Sequence, residues 1–330
     1  MRRENRQICA AVLFLSCLLA ALCGCAAPAR SREFFAMDTV MTITASGAEA
    51  ALDAAEAEVY RLDSLLSAQN ETSELAAVNR GSGSVSAETA ALISEALTIA
   101  QETDGAYDPT VYPLMRAWGF AGGDYRVPEQ AELEALLQTT GWEAVSVDGT
   151  DVSLPEGFAL DLGGIGKGCA AGRCKEILKE YGVTSALLNL GGNVSALGCK
   201  PDGSAWTVAI ADPDGGAYLG TVQVADQCVV TSGGYQRYFE QDGSVYWHIL
   251  DPATGKPARS GMRSVTVVSA DDTLADALST ALFVMGPERA ADFWRAHRAE
   301  FGAVWLTEDG RLCVTESLTL TTERNYEVIS

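Results

Sequence analysis

A glycine-rich junction between residues 161 and 170, with the sequence DLGGIGKGCA, constrains this chain more than any other segment. It follows an apolar run over residues 157–162 that is typical of a strand, and it precedes a helical pattern over residues 170–181. Backbone rich in glycine can approach a ligand closely, and free N–H groups at a helix start favour anionic oxygens. The junction therefore predicts a phosphate- or carboxylate-binding turn, although an ordinary tight strand-to-helix turn would explain it equally well in isolation.

The junction matches neither of the two common nucleotide-binding motifs. No Ser or Thr follows Lys167 to hold a metal, and the glycine spacing differs from that of a P-loop. The spacing also differs from the dinucleotide motif GxGxxG. A P-loop enzyme and a Rossmann-type dehydrogenase are therefore not indicated.

Hydrophobic periodicity predicts a single α+β domain with mostly antiparallel strands and flanking helices, spanning residues 34–330. Neither a long Pro- or Ser-rich linker nor an internal repeat divides it. The predicted helices cover residues 49–66, 89–103, 129–137, 272–285 and 288–298. The predicted strands cover residues 34–45, 144–147, 186–190, 206–210, 219–224, 246–250 and 263–269, punctuated by Gly and Asp-Gly turns.

The first 25 residues have the pattern of an export signal. Three arginines precede an apolar run over residues 8–22, which is too short to be interpreted first as a spanning helix. The sequence Leu22-Cys23-Gly24-Cys25 resembles a bacterial lipobox, which implies that Cys25 is acylated and anchors the chain on the outer side of the cytoplasmic membrane. A merely cleaved secretory signal is the alternative. Residues 26–33 are then a short tether.

The charge and the cysteine content argue against a nucleic-acid-binding protein, a disulfide scaffold and a zinc site. The chain has 23 basic and 44 acidic residues, for a net charge of −21, and no clustered basic stripe. Nucleic acid is therefore not an expected partner, because its binding depends on phosphate neutralisation by clustered cations. Five cysteines follow Cys25 without a CxxC pair or a Cys/His cluster, so we expect buried free thiols rather than a disulfide scaffold or a zinc site.

His248 is the candidate general base. It is one of only two histidines, and it stands where a predicted strand enters the Pro/Gly turn of HILDPATGKP. An imidazole titrates near neutral pH and can take a proton from a hydroxyl. A hydrogen-bonded structural histidine is the alternative. His297 lies among charged residues on a predicted helix and is expected at the surface.

Asp276 and Thr280 are candidate metal ligands. They lie four residues apart in a segment rich in Ala and Leu, so both face one side of a helix. A carboxylate and a hydroxyl supply two oxygen ligands for a hard cation such as Mg²⁺, which keeps waters or substrate phosphates in its other positions. The alternative is a Thr bonded back to the carbonyl four residues earlier, beside a solvated Asp.

Seven motifs follow one another along the chain: Met37-Asp38-Thr39, GAYDPTV at 105–111, DLGGIGKG at 161–168, NLGGN at 189–193, TSGGY at 231–235, HILDPATGKP at 248–257 and ADALSTALFVMG at 275–286. In this order they resemble the motifs of the ApbE family of FAD:protein FMN transferases. The resemblance runs from about residue 34 to 286 and covers most of the chain after the export signal. Departures are modest: Asp38 stands where many relatives have Gly, and Cys169 where Tyr is common.

The resemblance implies an α+β fold of the family's own, T-fold-like type and a site that holds FAD and Mg²⁺. The implied FAD contacts are Met37, Gln69, Ala106, Tyr107, Asp108, Asp161, Lys167 and Leu250. The implied Mg²⁺ ligands are Asp276, Thr280 and Gly164, the last only through its carbonyl. Gln69 lacks the ring that relatives often carry at this position.

The implied reaction is attack of a threonine or serine hydroxyl of a target protein on the FMN phosphorus of FAD, with release of AMP. His248 is the predicted base. Exported flavoprotein subunits of membrane redox pumps or of extracellular electron-transfer chains are the acceptors that the resemblance suggests. Two alternatives remain at this stage: an FAD pyrophosphatase that yields free FMN and AMP, and a lipoprotein that binds FAD without turning it over.

Overall fold

The computed structural model describes residues 29–47, 49–81 and 83–330, so the predicted export signal lies outside the described residues. Eight α-helices are found in the described part: α1 Glu49–Leu66, α2 Glu74–Asn79, α3 Ala87–Glu102, α4 Tyr112–Ala117, α5 Gln130–Leu137, α6 Gly166–Glu180, α7 Asp272–Met285 and α8 Pro287–His297. A 3-10 turn covers Trp142–Ala144. No helix of the described residues is long and apolar enough to cross a membrane.

A nine-stranded sheet forms the centre of the domain. Its strand order is β1-β2-β5-β6-β9-β14-β15-β16-β17, and every neighbouring pair is antiparallel except β16 and β17. Its strands are β1 Ala29–Ala36, β2 Thr39–Ser46, β5 Ala186–Leu190, β6 Asn193–Leu197, β9 Cys228–Gly233, β14 Met262–Ser269, β15 Phe301–Thr307, β16 Leu312–Thr315 and β17 Glu327–Ile329. This architecture confirms the predicted α+β class with mostly antiparallel strands.

Four two-stranded sheets surround the central one. They pair β3 Ser146–Asp148 with β4 Asp151–Ser153, β7 Trp206–Ile210 with β8 Gly220–Val224, β10 Tyr238–Gln241 with β11 Ser244–Trp247, and β12 Leu250–Asp251 with β13 Lys256–Pro257. The β7–β8 pair packs its valines and isoleucine into a core that also contains Val229, Val268 and Val304 of the large sheet. The hairpin therefore covers one face of the sheet.

The helices bury their apolar sides in the main core. In α1 the buried positions Leu52, Ala55, Val59, Leu62 and Leu66 recur every three or four residues, which is the helical period. Helix α6 packs between α1 and α7, and α7 packs on β9 and β14. Side chains of α7 therefore meet the large sheet on one side of the helix and α6 on another.

The segment 34–45, predicted as one strand, is a hairpin of two strands. Met37 and Asp38 form its turn with left-handed φ angles of 47° and 60°, which residues other than glycine rarely adopt. Strand β1 pairs with β2 from Ala29 onward, inside the segment predicted as a tether. Arg30 bonds to Glu49 at 2.9 Å, which fixes this early segment to α1.

The apolar run at residues 157–162 is also different from its prediction, because it does not form a strand. Its backbone groups bond elsewhere: Leu160 exchanges two hydrogen bonds with the Asn79 side chain, at 2.7 and 2.9 Å. The Asp161 N–H donates to the Pro109 carbonyl at 2.7 Å. The run therefore reaches α6 as an extended loop, and α6 begins at Gly166, earlier than predicted.

The five cysteines of the domain are all free, and Cys174, Cys228 and Cys313 are buried, as the sequence predicts. Cys169 and Cys199 are only partly buried.

Candidate active site

One cavity of about 570 Å³ is lined by every residue that the sequence singled out. The β1–β2 turn, the end of α1, the loops before α4 and α6, strand β9 and one side of α7 form its wall. The predicted residues on this wall are Met37, Gln69, Ala106, Tyr107, Asp108, Asp161, Gly164, Lys167, His248, Leu250, Asp276 and Thr280. These residues are far apart in sequence, so the tertiary fold brings them together.

His248 lies between β11 and β12, where the predicted strand 246–250 is interrupted. Its Nδ1 is 3.2 Å from the Arg237 carbonyl oxygen, which also accepts the His248 backbone N–H at 3.1 Å. Because a carbonyl oxygen only accepts, Nδ1 carries the proton of the neutral ring and Nε2 keeps its lone pair. Burial lowers the pKa of His248 to about 4, and the positive charges of Arg237 and Lys167 act in the same direction. The imidazole is therefore a neutral proton acceptor at pH 7.

Asp276 and Thr280 lie one turn apart on α7, on the side that faces the cavity. Asp276 is only 4% exposed. Its Oδ2 accepts the Gly168 N–H at 2.9 Å, and its Oδ1 is 3.9 Å from Lys167 Nζ. The carboxylate therefore joins α7 to the first turn of α6 and is not solvated.

The hydroxyl of Thr280 is directed away from its own helix backbone. The alternative interpretation of the sequence expects Thr280 to bond back to the Asp276 carbonyl. That carbonyl accepts a hydrogen bond from Ser279 Oγ at 2.8 Å. Thr280 Oγ1 lies instead 3.5 Å from Ser232 Oγ on β9. A Cβ placed on Gly164 would be 3.9 Å from the same hydroxyl, so the Gly164 backbone lies beside it. One carboxylate, one hydroxyl and a glycine backbone thus converge.

This set of groups suits a hard cation. Among the described residues, no three His, Cys, Asp or Glu side chains cluster in a way that could hold a metal by themselves. Mg²⁺ does not require such a cluster, because it usually binds one or two carboxylates and keeps waters or substrate phosphates as further ligands. Asp276 Oδ1 accepts no hydrogen bond from the described residues, and Lys167 Nζ is 3.9 Å away, so this oxygen is available to such an ion.

The loop before α4 contributes one free hydroxyl and one carboxylate with internal partners. Tyr107 is 4% exposed, and its Oη has no hydrogen-bond partner among the described residues. Asp108 Oδ1 accepts from Thr110 N and Oγ1 at 2.8 and 2.6 Å, and its Oδ2 accepts from Trp142 N at 3.1 Å. Asp108 therefore fixes the shape of the loop, while the Tyr107 hydroxyl is a buried polar group that the described residues leave without a partner.

Three more predicted residues lie at different depths of the cavity. Met37 is placed by its strained turn and by a 3.1 Å hydrogen bond from its N–H to Asp63 Oδ2. Leu250 is buried on β12, and Gln69 is exposed just beyond the end of α1. These placements give the cavity wall one buried apolar side chain and one exposed polar side chain.

The start of α6 contributes charge. Lys167 Nζ is 3.4 Å from the Gly163 carbonyl oxygen, and Asp161 Oδ1 accepts the Gly163 N–H at 2.7 Å. Burial raises the pKa of Asp161, while the positive charges of Arg237 and Lys167 oppose this increase. A carboxylate and two cations therefore share the same end of the cavity.

Of the cavity residues that were not predicted from the sequence, four carry polar groups that the site uses: Asp63, Asn193, Ser232 and Arg237. Arg237 donates to the Phe120 carbonyl, and its own carbonyl holds His248. Its position two residues after the TSGGY motif is the one sequence feature that could have indicated it. Asp63 is one of many acidic residues on α1, and no local pattern separates it from the others.

Comparison with known proteins agrees with the motifs. The family model described as the ApbE family matches residues 37–305. The FAD:protein FMN transferase of Treponema pallidum (strain Nichols) is 34% identical over 313 residues, which cover 85% of this chain and 86% of that protein. The FAD:protein FMN transferase of Klebsiella pneumoniae (strain 342) is 35% identical over 260 residues, which cover 76% of this chain and 80% of that protein.

Two solved structures share the fold. The ApbE protein from Thermotoga maritima MSB8 aligns with a TM-score of 0.84 at 34% identity, covering 88% of this chain and 98% of that one. The flavin transferase ApbE from Vibrio cholerae aligns with a TM-score of 0.78 at 29% identity and with the same coverage of both chains. In sequence and in fold, this chain belongs to the ApbE family.

Proposed function

We propose that this chain transfers FMN from FAD to a threonine or serine hydroxyl of an acceptor protein. The observation that carries the proposal is the presence, in one cavity, of a neutral imidazole and of a buried carboxylate with a partly buried hydroxyl beside a glycine-rich helix start. Relatives that cover most of this chain are named FAD:protein FMN transferase, which supports the same activity.

The reaction exchanges the phosphoanhydride bond of FAD for a phosphoester bond to the acceptor. The acceptor oxygen forms a bond to the FMN phosphorus, the bond from that phosphorus to the bridging oxygen breaks, and AMP leaves with that oxygen. His248 takes the hydroxyl proton at Nε2, since its Nδ1 is committed to the Arg237 carbonyl. Lys167 and Arg237 balance the negative charge of the phosphates.

We propose Mg²⁺ as the cofactor, with Asp276, Thr280 and the Gly164 carbonyl as its protein ligands. When bound, such an ion neutralises phosphate charge and supports the leaving group. The Oδ1 of Asp276, which accepts no hydrogen bond from the described residues, and the Thr280 hydroxyl are the side-chain oxygens that such an ion would use. Gly168 N–H fixes the orientation of the Asp276 carboxylate through its Oδ2.

A transfer assay tests the function. The chain is incubated with FAD, Mg²⁺ and a synthetic peptide that contains one threonine, and the products are analysed by mass spectrometry. We expect the peptide to gain one FMN less one water, and AMP to appear in equal amount. An alanine version of the peptide should remain unlabelled. Free FMN and AMP without labelled peptide would indicate a pyrophosphatase, and unchanged FAD would indicate a binding protein.

The metal assignment has its own test. Asp276→Ala should abolish Mg²⁺-dependent turnover while keeping much of the FAD affinity, because the other predicted FAD contacts are untouched. Asp292→Ala is the matched control, since the Asp292 side chain is 78% exposed on α8. Full activity of Asp276→Ala over a Mg²⁺ titration would reject the assignment.

We also propose a location and a class of partner. The chain would be anchored by acylated Cys25 on the extracytoplasmic side of the membrane, where exported flavoproteins of redox pumps or electron-transfer chains would be its acceptors. The support is the lipobox-like sequence at residues 22–25, which lies outside the described residues.

A further inference from the structure

We propose that Asn193 is a further substrate-binding residue, whose side-chain N–H donates a hydrogen bond to a phosphate oxygen of FAD. This inference rests on the proposed function, because it takes FAD as the substrate. It assigns a role to the last residue of the NLGGN motif, at the start of β6.

The amide nitrogen of Asn193 is buried without a partner. The residue is 4% exposed, it lines the cavity, and its Nδ2 makes no hydrogen bond to any described residue. An unsatisfied buried donor is destabilising, and native proteins contain few of them. Because the nitrogen has almost no accessible surface of its own, the amide turns toward the cavity, which the residue lines, when a ligand acceptor satisfies it.

The sheet register places Asn193 at the end of the cavity that holds the α7 pair. Asn193 is the direct partner of Val230 on β9, so its side chain shares a face with Ser232, two residues further along that strand. Diagonal neighbours of this kind lie roughly 7–8 Å apart. Ser232 Oγ bonds to Ser279 at 2.7 Å and lies 3.5 Å from Thr280 Oγ1.

The groups around Asp276 and Thr280 indicate that the acceptor is a phosphate oxygen. The carboxylate–hydroxyl pair suits a hard cation, and such a cation prefers phosphate oxygens among the groups of FAD. Lys167 and Arg237 add positive charge to the same cavity. An amide donor beside these groups meets an anionic oxygen, with which a hydrogen bond is stronger than with a neutral one.

The test compares the binding of three compounds in the presence of Mg²⁺. FAD and ADP both carry a diphosphate, whereas riboflavin carries none. For Asn193→Ala we expect FAD and ADP to bind roughly 10- to 100-fold more weakly, since a hydrogen bond to a charged group contributes about 1.5–3 kcal/mol and each 1.4 kcal/mol is tenfold. Asn193→Asp should weaken both further through like-charge repulsion. Riboflavin affinity should not change in either variant.

Asn189→Ala is the matched control. Asn189 is an exposed amide in the same hairpin, and its Oδ1 accepts the Gly192 N–H at 3.0 Å. If the losses came from a distorted hairpin, this variant would show them as well. Unchanged FAD and ADP affinity in Asn193→Ala, or an equal loss of riboflavin affinity, would overturn the proposal.

This outcome is separable from that of the transfer assay. A chain that loses diphosphate affinity on Asn193→Ala, yet labels no peptide when unmutated, would refute the transferase and keep the phosphate contact. A labelled peptide together with unchanged FAD and ADP affinities in Asn193→Ala would support the transferase and refute the phosphate contact.

Discussion

His248 is neutral at physiological pH because the protein desolvates it, and this makes a specific prediction about its role. His248→Ala should still bind FAD but should label the acceptor threonine roughly 100- to 10,000-fold more slowly, which is the range for a positioned general base. Single-turnover kinetics with saturating FAD measure this step directly.

His297→Ala is the control for this substitution. His297 lies on the outer helix α8, where Nδ1 is 3.1 Å from Glu300 Oε1 and the ring stacks on Phe293. We expect nearly full activity from it. A His248→Ala variant that lost FAD affinity but kept the single-turnover rate would show that the imidazole is a cofactor contact, and another group would then have to activate the hydroxyl.

The lowered pKa of His248 also predicts the pH dependence of the reaction. The base form is the active one, so kcat/KM should stay level as pH falls through the ordinary histidine value of about 6.5 and should decrease only near pH 4. The measurement is kcat/KM for FAD at a series of pH values, with circular dichroism to confirm that the chain stays folded. An acid limb centred near pH 6.5 would contradict a desolvated histidine.

At the residue scale, the sequence predicts the cavity better than the contacts within it. Chemically distinctive residues in glycine-rich motifs, such as Lys167 and His248, are visible in one sequence. The roles of Asn193 and Arg237 are not, because Asn193 is marked by a buried amide nitrogen without a partner and Arg237 by a backbone carbonyl that holds the His248 ring. Those properties exist only after the strands have paired.

Among the secondary-structure elements, the crossing of α6 and α7 determines the geometry of the candidate metal site, and Gly168 permits it. A Cβ at Gly168 would lie 2.3 Å from the Asp272 carbonyl oxygen and 2.9 Å from Asp276 Cβ. Gly168→Ala should therefore separate the two helices and displace the Asp276 carboxylate. We expect lower thermal stability and a large loss of Mg²⁺-dependent turnover, measured by calorimetry and by the transfer assay.

Gly172→Ala, one turn further along α6, provides the contrast. A Cβ there would meet only Asp272 Oδ2, at 4.0 Å, which is an ordinary contact. Because alanine is about 0.8–1.0 kcal/mol better than glycine in a helix interior, this variant should be as stable as the unmutated chain or slightly more stable. Equal thermal stability and equal Mg²⁺-dependent turnover of Gly168→Ala and Gly172→Ala would show that the close contact of α6 with α7 does not determine the geometry of the site.

Elements were predictable where the period was regular and unpredictable where a side chain replaced a backbone partner. Helix α1 and strands β5 and β7 match their predicted bounds because their buried residues follow one period. The β1–β2 turn was missed since Met37 and Asp38 adopt a conformation that favours glycine. The run at 157–162 was misassigned because Asn79, distant in sequence, takes its hydrogen bonds.

On the scale of the whole molecule, the described domain contains the complete candidate site, and its first strand begins soon after Cys25. Membrane attachment and catalysis should therefore separate. If Cys25 is acylated, the unmutated chain will sediment with membranes, because each buried methylene adds about 0.8 kcal/mol and a lipobox cysteine carries more than one acyl chain. Cys25→Ser should leave the chain soluble or unprocessed.

The membrane-anchored chain and the Cys25→Ser variant should also have the same transferase activity. Detergent-extracted unmutated chain and Cys25→Ser should label the same peptide at the same rate, since all the predicted site residues that line the cavity lie between Met37 and Thr280. Cys23→Ser is the matched control, because the last cysteine of the lipobox-like sequence is the one expected to carry lipid, and this variant should remain in the membrane fraction. Two results together would reject the anchor: recovery of the unmutated chain in the soluble fraction, and N-terminal sequencing that starts at a residue other than Cys25. The cleaved secretory signal would then be the explanation.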